Sequence, residues 1–232
     1  PLAEYASGYR NSKSIIHFGM EVNVHVEDEA KKIDMTLPVM EDFYTIQGEG
    51  AIQGHAAYFI RLGGCEVKCV WCDVKDSWDV NAHPRVSIAT LGERAQASGS
   101  PIVVVTGGEP TMHNLDRLTK ELRGRGLRTH IESSGAYPLT GQWDWVCFSP
   151  KKFKAPHSSF AQHVNELKVV IFHKTDFQWA EEYAALVSPN CELYLQPEWS
   201  REKEILPQIV AYVKQHPRWK ISLQIHKYMD IP

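Results

Sequence analysis

Between Ala57 and Gln224 the chain alternates short apolar runs of strand character with stretches of helical length, and this alternation limits the fold more than any other feature. The candidate strands are Ala57–Leu62, Ile102–Thr106, Arg128–Ser133, Trp145–Ser149, Glu166–Phe172, Glu192–Gln196 and Lys220–Gln224. Helical stretches at Ser87–Ala97, Leu115–Arg123, Asp176–Leu186 and Glu202–Gln215 lie between several of them. Such a pattern predicts a parallel sheet with helical crossovers, an α/β fold. Ile102–Thr106 reads Ile-Val-Val-Val-Thr, a β-branched run suited to a strand buried on both faces. Gly99 with Pro101, and Gly124 with Gly126, punctuate two helix ends.

In a sheet of this type, chemistry collects at the carboxyl ends of the strands. Four candidate strands run into polar or glycine-rich turns: Thr106–Pro110, Ser133–Gly135, Ser149–Lys152 and Gln196–Glu198. Each alone suits an ordinary turn. Their recurrence after successive strands predicts one shared pocket.

The 232 residues suffice for one sizeable core. Residues 1 to 38 are polar and weakly patterned and read as an N-terminal extension, with a short strand at Glu21–Val26; residues 39 to 232 read as a single catalytic domain. The opening segment lacks the apolar core of a secretory signal, and no apolar run approaches the ~20 residues of a membrane span. A net charge of −3 gives no electrostatic reason to expect nucleic acid. Five cysteines, three of them within eight positions, suit a metal site in a reducing cytoplasm better than a disulfide framework.

Those three are Cys65, Cys69 and Cys72, preceded by Gly63-Gly64. Three thiolates on one compact loop can hold three corners of an iron–sulfur cubane and leave one iron open. Three other readings fit the same spacing. The i, i+4, i+7 pattern is also that of a helix with buried cysteines. Cys69-x-x-Cys72 is half of a zinc site, although a second pair is missing and His55 and His83 make no standard partners. A Cys-x-x-Cys pair also serves thiol redox chemistry. Cys147 and Cys191 fall within candidate strands and read as core thiols.

The Cys-x3-Cys-x2-Cys spacing resembles that of the radical S-adenosylmethionine superfamily, and Gly107-Gly108-Glu109-Pro110 resembles the turn that holds the methionyl end of its cofactor. The likeness narrows to the 7-carboxy-7-deazaguanine synthases. It rests on Phe43–Gly50, Phe59–Cys65, Thr106–Pro110, Ile131–Gly135, Ser149–Lys151 and Gln224–Tyr228, which follow in family order from about Glu41 to Pro232. The resemblance implies a partial, shortened β/α barrel and a homodimer. It implies a [4Fe-4S] cluster, S-adenosylmethionine and Mg2+, and an external electron donor of flavodoxin type. The implied reaction is ring contraction of 6-carboxy-5,6,7,8-tetrahydropterin to 7-carboxy-7-deazaguanine with loss of ammonia, in deazapurine (queuosine) biosynthesis. An activating enzyme for glycyl-radical proteins shares the cysteine spacing and is the alternative within the superfamily; a non-catalytic metal-binding protein is the alternative outside it.

Residue roles follow from the matching positions. Cys65, Cys69 and Cys72 ligate the cluster. Trp71, Cys72, Asp73, Gly108, Ser149, Pro150, Lys151 and Gln196 lie on the cofactor side. Ile46, Gln47, Gly48, Glu49, Arg61, Thr106, His226 and Pro232 lie on the substrate side. Val74 occupies the place of a family threonine that ligates magnesium, and its side chain has no oxygen; Asp73 and Asp76 are the nearby carboxylates that can compensate. Arg61 is expected to fork onto a substrate carboxylate, with a structural ion pair as the alternative. Glu49 is expected to accept from the pterin N–H edge, with bracing of its own loop as the alternative. His226, near the end of a strand, is expected on the substrate side, with a buried core histidine as the alternative.

Overall fold

The computed structural model describes residues 35–232, of which Leu37–Pro232 form one compact unit. The strand expected at Glu21–Val26 lies outside the described residues. Nine strands are seen among those residues: β1 (Thr36–Ile46), β2 (Ala56–Leu62), β3 (Arg85–Ser87), β4 (Ile102–Gly107), β5 (Arg128–Ser133), β6 (Trp145–Phe148), β7 (Glu166–Ile171), β8 (Glu192–Pro197) and β9 (Trp219–Ile221). The helices are α1 (Ile88–Ala97), α2 (Asp116–Gly124), α3 (Asp176–Ala184), α4 (Glu202–Gln215) and the short α5 (Ile225–Met229).

The strands form one sheet in the order β3-β1-β2-β4-β5-β6-β7-β8-β9. From β2 through β9 every neighbouring pair is parallel, as the alternation predicts, and the two end strands do not pair with each other. This is the α/β architecture of a partial β/α barrel.

Because successive strand residues point to opposite faces, each strand divides its side chains between two environments. Val103, Val105, Ile131, Val146, Phe148, Leu167, Val169, Leu193 and Leu195 join Leu91, Leu118, Leu122, Ala180, Ile205 and Ile209 of the helices in one aliphatic core. The alternate positions, among them Arg61, Thr106, Glu132, Lys168 and Gln196, face a cavity. The polar inner face is therefore a consequence of strand periodicity, while burial of the outer face supplies most of the driving force.

Two departures from the expected elements matter for the site. The chain segment from Thr36 to Ile46 is a long strand antiparallel to β2, and it begins inside the segment read as an extension. Pro38 and the Glu41-Asp42 pair interrupt its apolar alternation, and the register slips between Val39 and Glu41. Pro38 is tolerated because it need only accept: its carbonyl receives the Gly63 N–H at 3.0 Å. The last strand is also shorter than the expected Lys220–Gln224. Ser222 still bonds β8, through its N–H to Leu195 O (3.0 Å) and its Oγ to Gln196 Oε1 (2.7 Å); beyond it the chain leaves the sheet, and the Ile225 N–H bonds Gly48 O (3.0 Å). His226 thus sits on α5 and not at a strand end.

Candidate active site

The cysteine loop leaves β2 through Gly63-Gly64 and is anchored by backbone hydrogen bonds from Gly64 N to Ser77 O (2.7 Å) and from Cys65 N to Trp78 O (3.1 Å). It is not a helix: residues 63–74 have no helical run, and Lys68 takes a left-handed φ of 50°. The helical reading of the spacing is thereby removed. Cys65 and Cys69 are buried and Cys72 half-buried, and all five cysteines of the chain are free thiols. Burial pushes the Cys65 and Cys69 thiols up, Cys69 to about 11 despite the opposing charge of Lys151, and the neighbouring loop thiols add to the rise. The three thiols are thus close enough to sense one another, and a metal group binding there must displace their protons. Among the described residues no three His, Cys, Asp or Glu side chains surround a point fit for a single ion.

The Gly107–Pro110 turn packs backbone to backbone on this loop. A Cβ on Gly108 would lie 2.2 Å from Gly64 O and 3.0 Å from Cys65 Cβ, so only glycine fits. The Gly108 N–H bonds Leu62 O (2.9 Å) and the Glu109 N–H bonds Gly64 O (2.8 Å). Glu109 itself is buried and committed to the protein. It accepts from Thr111 N (3.1 Å), Thr111 Oγ1 (2.6 Å), Ser133 Oγ (2.5 Å), Ser134 N (2.9 Å) and Ser134 Oγ. The carboxylate of the motif is therefore a clasp between the turns that follow β4 and β5.

Every residue assigned from the resemblance lines one cavity of about 850 Å3, with the exception of Pro150. Pro150 lies between two lining residues, Ser149 and Lys151. Lys151 folds back to donate to Ser149 O (2.7 Å) and Ser149 Oγ (2.5 Å), and its ammonium lies 5.8 Å from the centre of the Trp71 ring. Val74 lines the cavity, and its carbonyl is taken by Ser77 N (3.1 Å) and Ser77 Oγ (2.6 Å). Asp73 is paired with Lys227 Nζ at 2.8 Å, while Asp76 does not reach the cavity.

On the substrate side, Gly48 meets the tail so closely that a Cβ would lie 2.1 Å from His226 Nδ1. Burial lowers the pKa of His226, with the Glu49 charge opposing. Arg61 Nε lies 2.8 Å from Glu41 Oε1, although its N–H is not aimed at that oxygen, and the guanidinium stands 5.6 Å from the Phe43 ring centre. The structural ion pair named as the alternative for Arg61 is present. Thr106 is its register partner on β4.

Glu49 does more than brace its loop. Its Oε2 accepts from Lys168 Nζ (2.5 Å) and its Oε1 from Gln224 Nε2 (2.9 Å). Lys168 Nζ also donates to Glu132 Oε2 (3.1 Å), whose Oε1 accepts from Gln47 Nε2 (2.8 Å). Burial alone would raise the Glu49 pKa, but the Lys168 ammonium and these hydrogen bonds hold it down at about 2. Lys168 had no role in the sequence reading, and Glu132 and Gln224 stood only within stretches that carried the resemblance. The available signal was Glu166-x-Lys168: charged residues at alternate positions of an otherwise apolar parallel strand must face a lined cavity or find partners.

A relative from Flavobacterium psychrophilum named 7-carboxy-7-deazaguanine synthase is 53% identical over 84% of this chain and 93% of its own length. The chain belongs to the 7-carboxy-7-deazaguanine synthase family. A Synechocystis synthase of the same name is 48% identical over 86% of the chain and 95% of its own length. The family model for the radical SAM superfamily matches residues 59–146, from β2 through the cysteine loop to β6. The crystal structure of QueE from Escherichia coli superposes with a TM-score of 0.73 at 29% identity, covering 82% of this chain and 94% of that one. As a member of the synthase family the chain is a radical S-adenosylmethionine enzyme, and membership implies a [4Fe-4S] cluster and S-adenosylmethionine. The relatives favour this reading over the glycyl-radical activating enzyme and over a non-catalytic metal protein. Among the described residues no helix is long and apolar enough to cross a membrane.

Proposed function

We propose that this enzyme converts 6-carboxy-5,6,7,8-tetrahydropterin to 7-carboxy-7-deazaguanine and ammonia, with the cavity divided into a cofactor side and a substrate side. The observation that carries the proposal is that the cysteine loop and the Glu49–Lys168–Glu132 array line the same cavity. Cys65, Cys69 and Cys72 would hold the cluster. Trp71, Asp73, Gly108, Ser149, Lys151 and Gln196 hold S-adenosylmethionine. When bound, these groups supply the radical chemistry that starts the ring contraction. The protein's own residues bind, orient and exclude water, which matters because a carbon radical attacks most C–H bonds it meets.

On the substrate side, the ionised Glu49 carboxylate accepts from the amino and ring N–H groups of the pterin. Ile46, Gln47, Gly48, Thr106, His226 and Pro232 complete that wall. Arg61 turns from Glu41 to the substrate carboxylate; the exposed Glu41 pair is a weak competitor. Magnesium would be held chiefly by substrate and water. Val74 offers it no side-chain oxygen, and Asp73 is engaged by Lys227, whereas Mg2+ requires oxygen ligands and readily keeps waters. The electron donor is a carrier of flavodoxin type. The enzyme works as a homodimer in the cytoplasm, where the reducing environment keeps an iron–sulfur cluster intact.

The test is anaerobic reconstitution with reductant, S-adenosylmethionine and the carboxypterin, followed by mass analysis. The parent and Cys147→Ala yield the deazaguanine product, and Cys69→Ala yields neither product nor cleaved cofactor. Product formation by Cys69→Ala, or none by the parent, refutes the assignment.

A further inference from the structure

The side chain of Lys168 is 4% exposed and projects from the middle of β7 between two carboxylates from distant parts of the chain. Glu49 comes from the loop after β1 and Glu132 from the end of β5. Each gives its Oε2 to Lys168, at 2.5 and 3.1 Å, and its Oε1 to an amide, Gln224 for Glu49 and Gln47 for Glu132. The array Gln224–Glu49–Lys168–Glu132–Gln47 is thus continuous. An ionised carboxylate has about four lone-pair sites, so both carboxylates keep acceptor capacity toward the cavity they line.

Two carboxylates sharing a confined site do not both stay ionised unless a cation lies between them. If one took up a proton it would present an O–H donor where an acceptor is needed, and it would repel an N–H edge. A buried lysine, in turn, stays charged only when paired. The groups that act on Lys168 are Glu49, Glu132, Cys147 on β6, Glu166 one turn of the pleat below, and the cations Lys151 and His226 nearby. Of these, only Glu49 and Glu132 form ion pairs with it.

We propose that Lys168 is a positioning residue of the synthase reaction: its ammonium holds Glu49 and Glu132 as a fixed pair of anions that receives the N–H groups of the pterin. The proposal rests on the substrate-side assignment above. It gives Lys168 no contact with the reacting atoms; it acts through the two carboxylates.

The experiment compares reconstituted holoenzyme carrying Lys168→Met, Lys168→Arg or Glu49→Gln with the parent. It measures kcat and KM for the carboxypterin from pH 6 to 8, and cofactor cleavage without pterin. For Lys168→Met, kcat/KM falls at least a hundredfold, mostly through KM, and the fall exceeds any loss in uncoupled cleavage by at least thirtyfold. That variant also loses activity as the pH drops from 8 to 6, because a carboxylate takes up a proton, whereas the parent lacks this acid limb. Lys168→Arg, which keeps the cation, regains at least tenfold over Lys168→Met and removes the limb. If Lys168→Met does not accumulate as folded protein, Lys168→Gln decides in the same assays, since it keeps a donor but not the charge. Neutral variants within threefold of the parent, or coupled and uncoupled activities falling together with no rescue by arginine, overturn the proposal. A parent that makes no product, or a Glu49→Gln with unchanged KM, defeats the underlying site assignment instead.

Discussion

Replacing Glu109 should loosen the joint between the β4 and β5 turns by an amount that follows from its hydrogen bonds. The buried carboxylate accepts from two backbone N–H groups, of Thr111 and Ser134, and from the hydroxyls of Thr111, Ser133 and Ser134. In Glu109→Ala the hydroxyls can turn to other partners; Thr111 Oγ1 and Ser133 Oγ are already 3.4 Å apart. The two amides cannot. Each stranded buried donor costs about 1–3 kcal/mol, so the loss should be roughly 2–6 kcal/mol. For a domain of this size, 1 kcal/mol moves Tm by about 2–4 °C, which places the expected drop at roughly 4–24 °C. In Glu109→Gln the Oε1 acceptor survives, but an amide donor can face the Ser134 N–H. One stranded group remains, and the drop should be roughly 2–12 °C on the same scale. Scanning calorimetry of the reconstituted, anaerobic enzyme reads both. Iron content is a second readout, because the same turn packs Gly108 against Gly64 and Cys65. If both variants melt within 2 °C of the parent and retain full iron, Glu109 does not clasp the two turns.

Two further outcomes are expected. Val74→Thr adds the hydroxyl that this site lacks, so its turnover should saturate at lower Mg2+ than the parent's; equal Mg2+ dependence in the two would show that the side chain at 74 is not a ligand position. His130 is buried against Trp145 with both ring nitrogens unpartnered, and burial, reinforced by Arg128, lowers its pKa to about 4. Its folded pKa lies below the unfolded value of 6.5, so the unfolded chain takes up a proton first and stability is lost as the pH falls from about 6.5 to about 4. That loss is roughly 3 kcal/mol at most, and urea midpoints of His130→Phe should lack this portion of the pH dependence.

Much of the architecture was legible because it is local. The β-branched run at Ile102–Thr106, the helix from Glu202 to Gln215 and the glycines at helix ends are decided by neighbours in sequence, and the structure places these elements within a residue or two of the expected bounds. The cysteine loop was legible for the same reason: three ligands within eight positions need no distant partner to be recognised. The spacing could not choose between a helix and a loop; Lys68 at φ 50° and the anchors to Ser77 and Trp78 did.

What only the tertiary structure decided are matters of long-range pairing. Thr36–Ile46 carries Pro38 and two adjacent acids, so its alternation is broken; it becomes a strand because β2 supplies an antiparallel partner. Gln224 was read as the end of a strand and instead bonds Glu49, 175 positions away, on the loop after β1 whose Gly48 carbonyl also receives the Ile225 N–H. Lys168 between Glu49 and Glu132 joins positions 119 and 36 residues apart. Periodicity tells which face of a strand a residue occupies, but the charge that will stand opposite it is set only when the sheet curls and brings distant strands around one cavity.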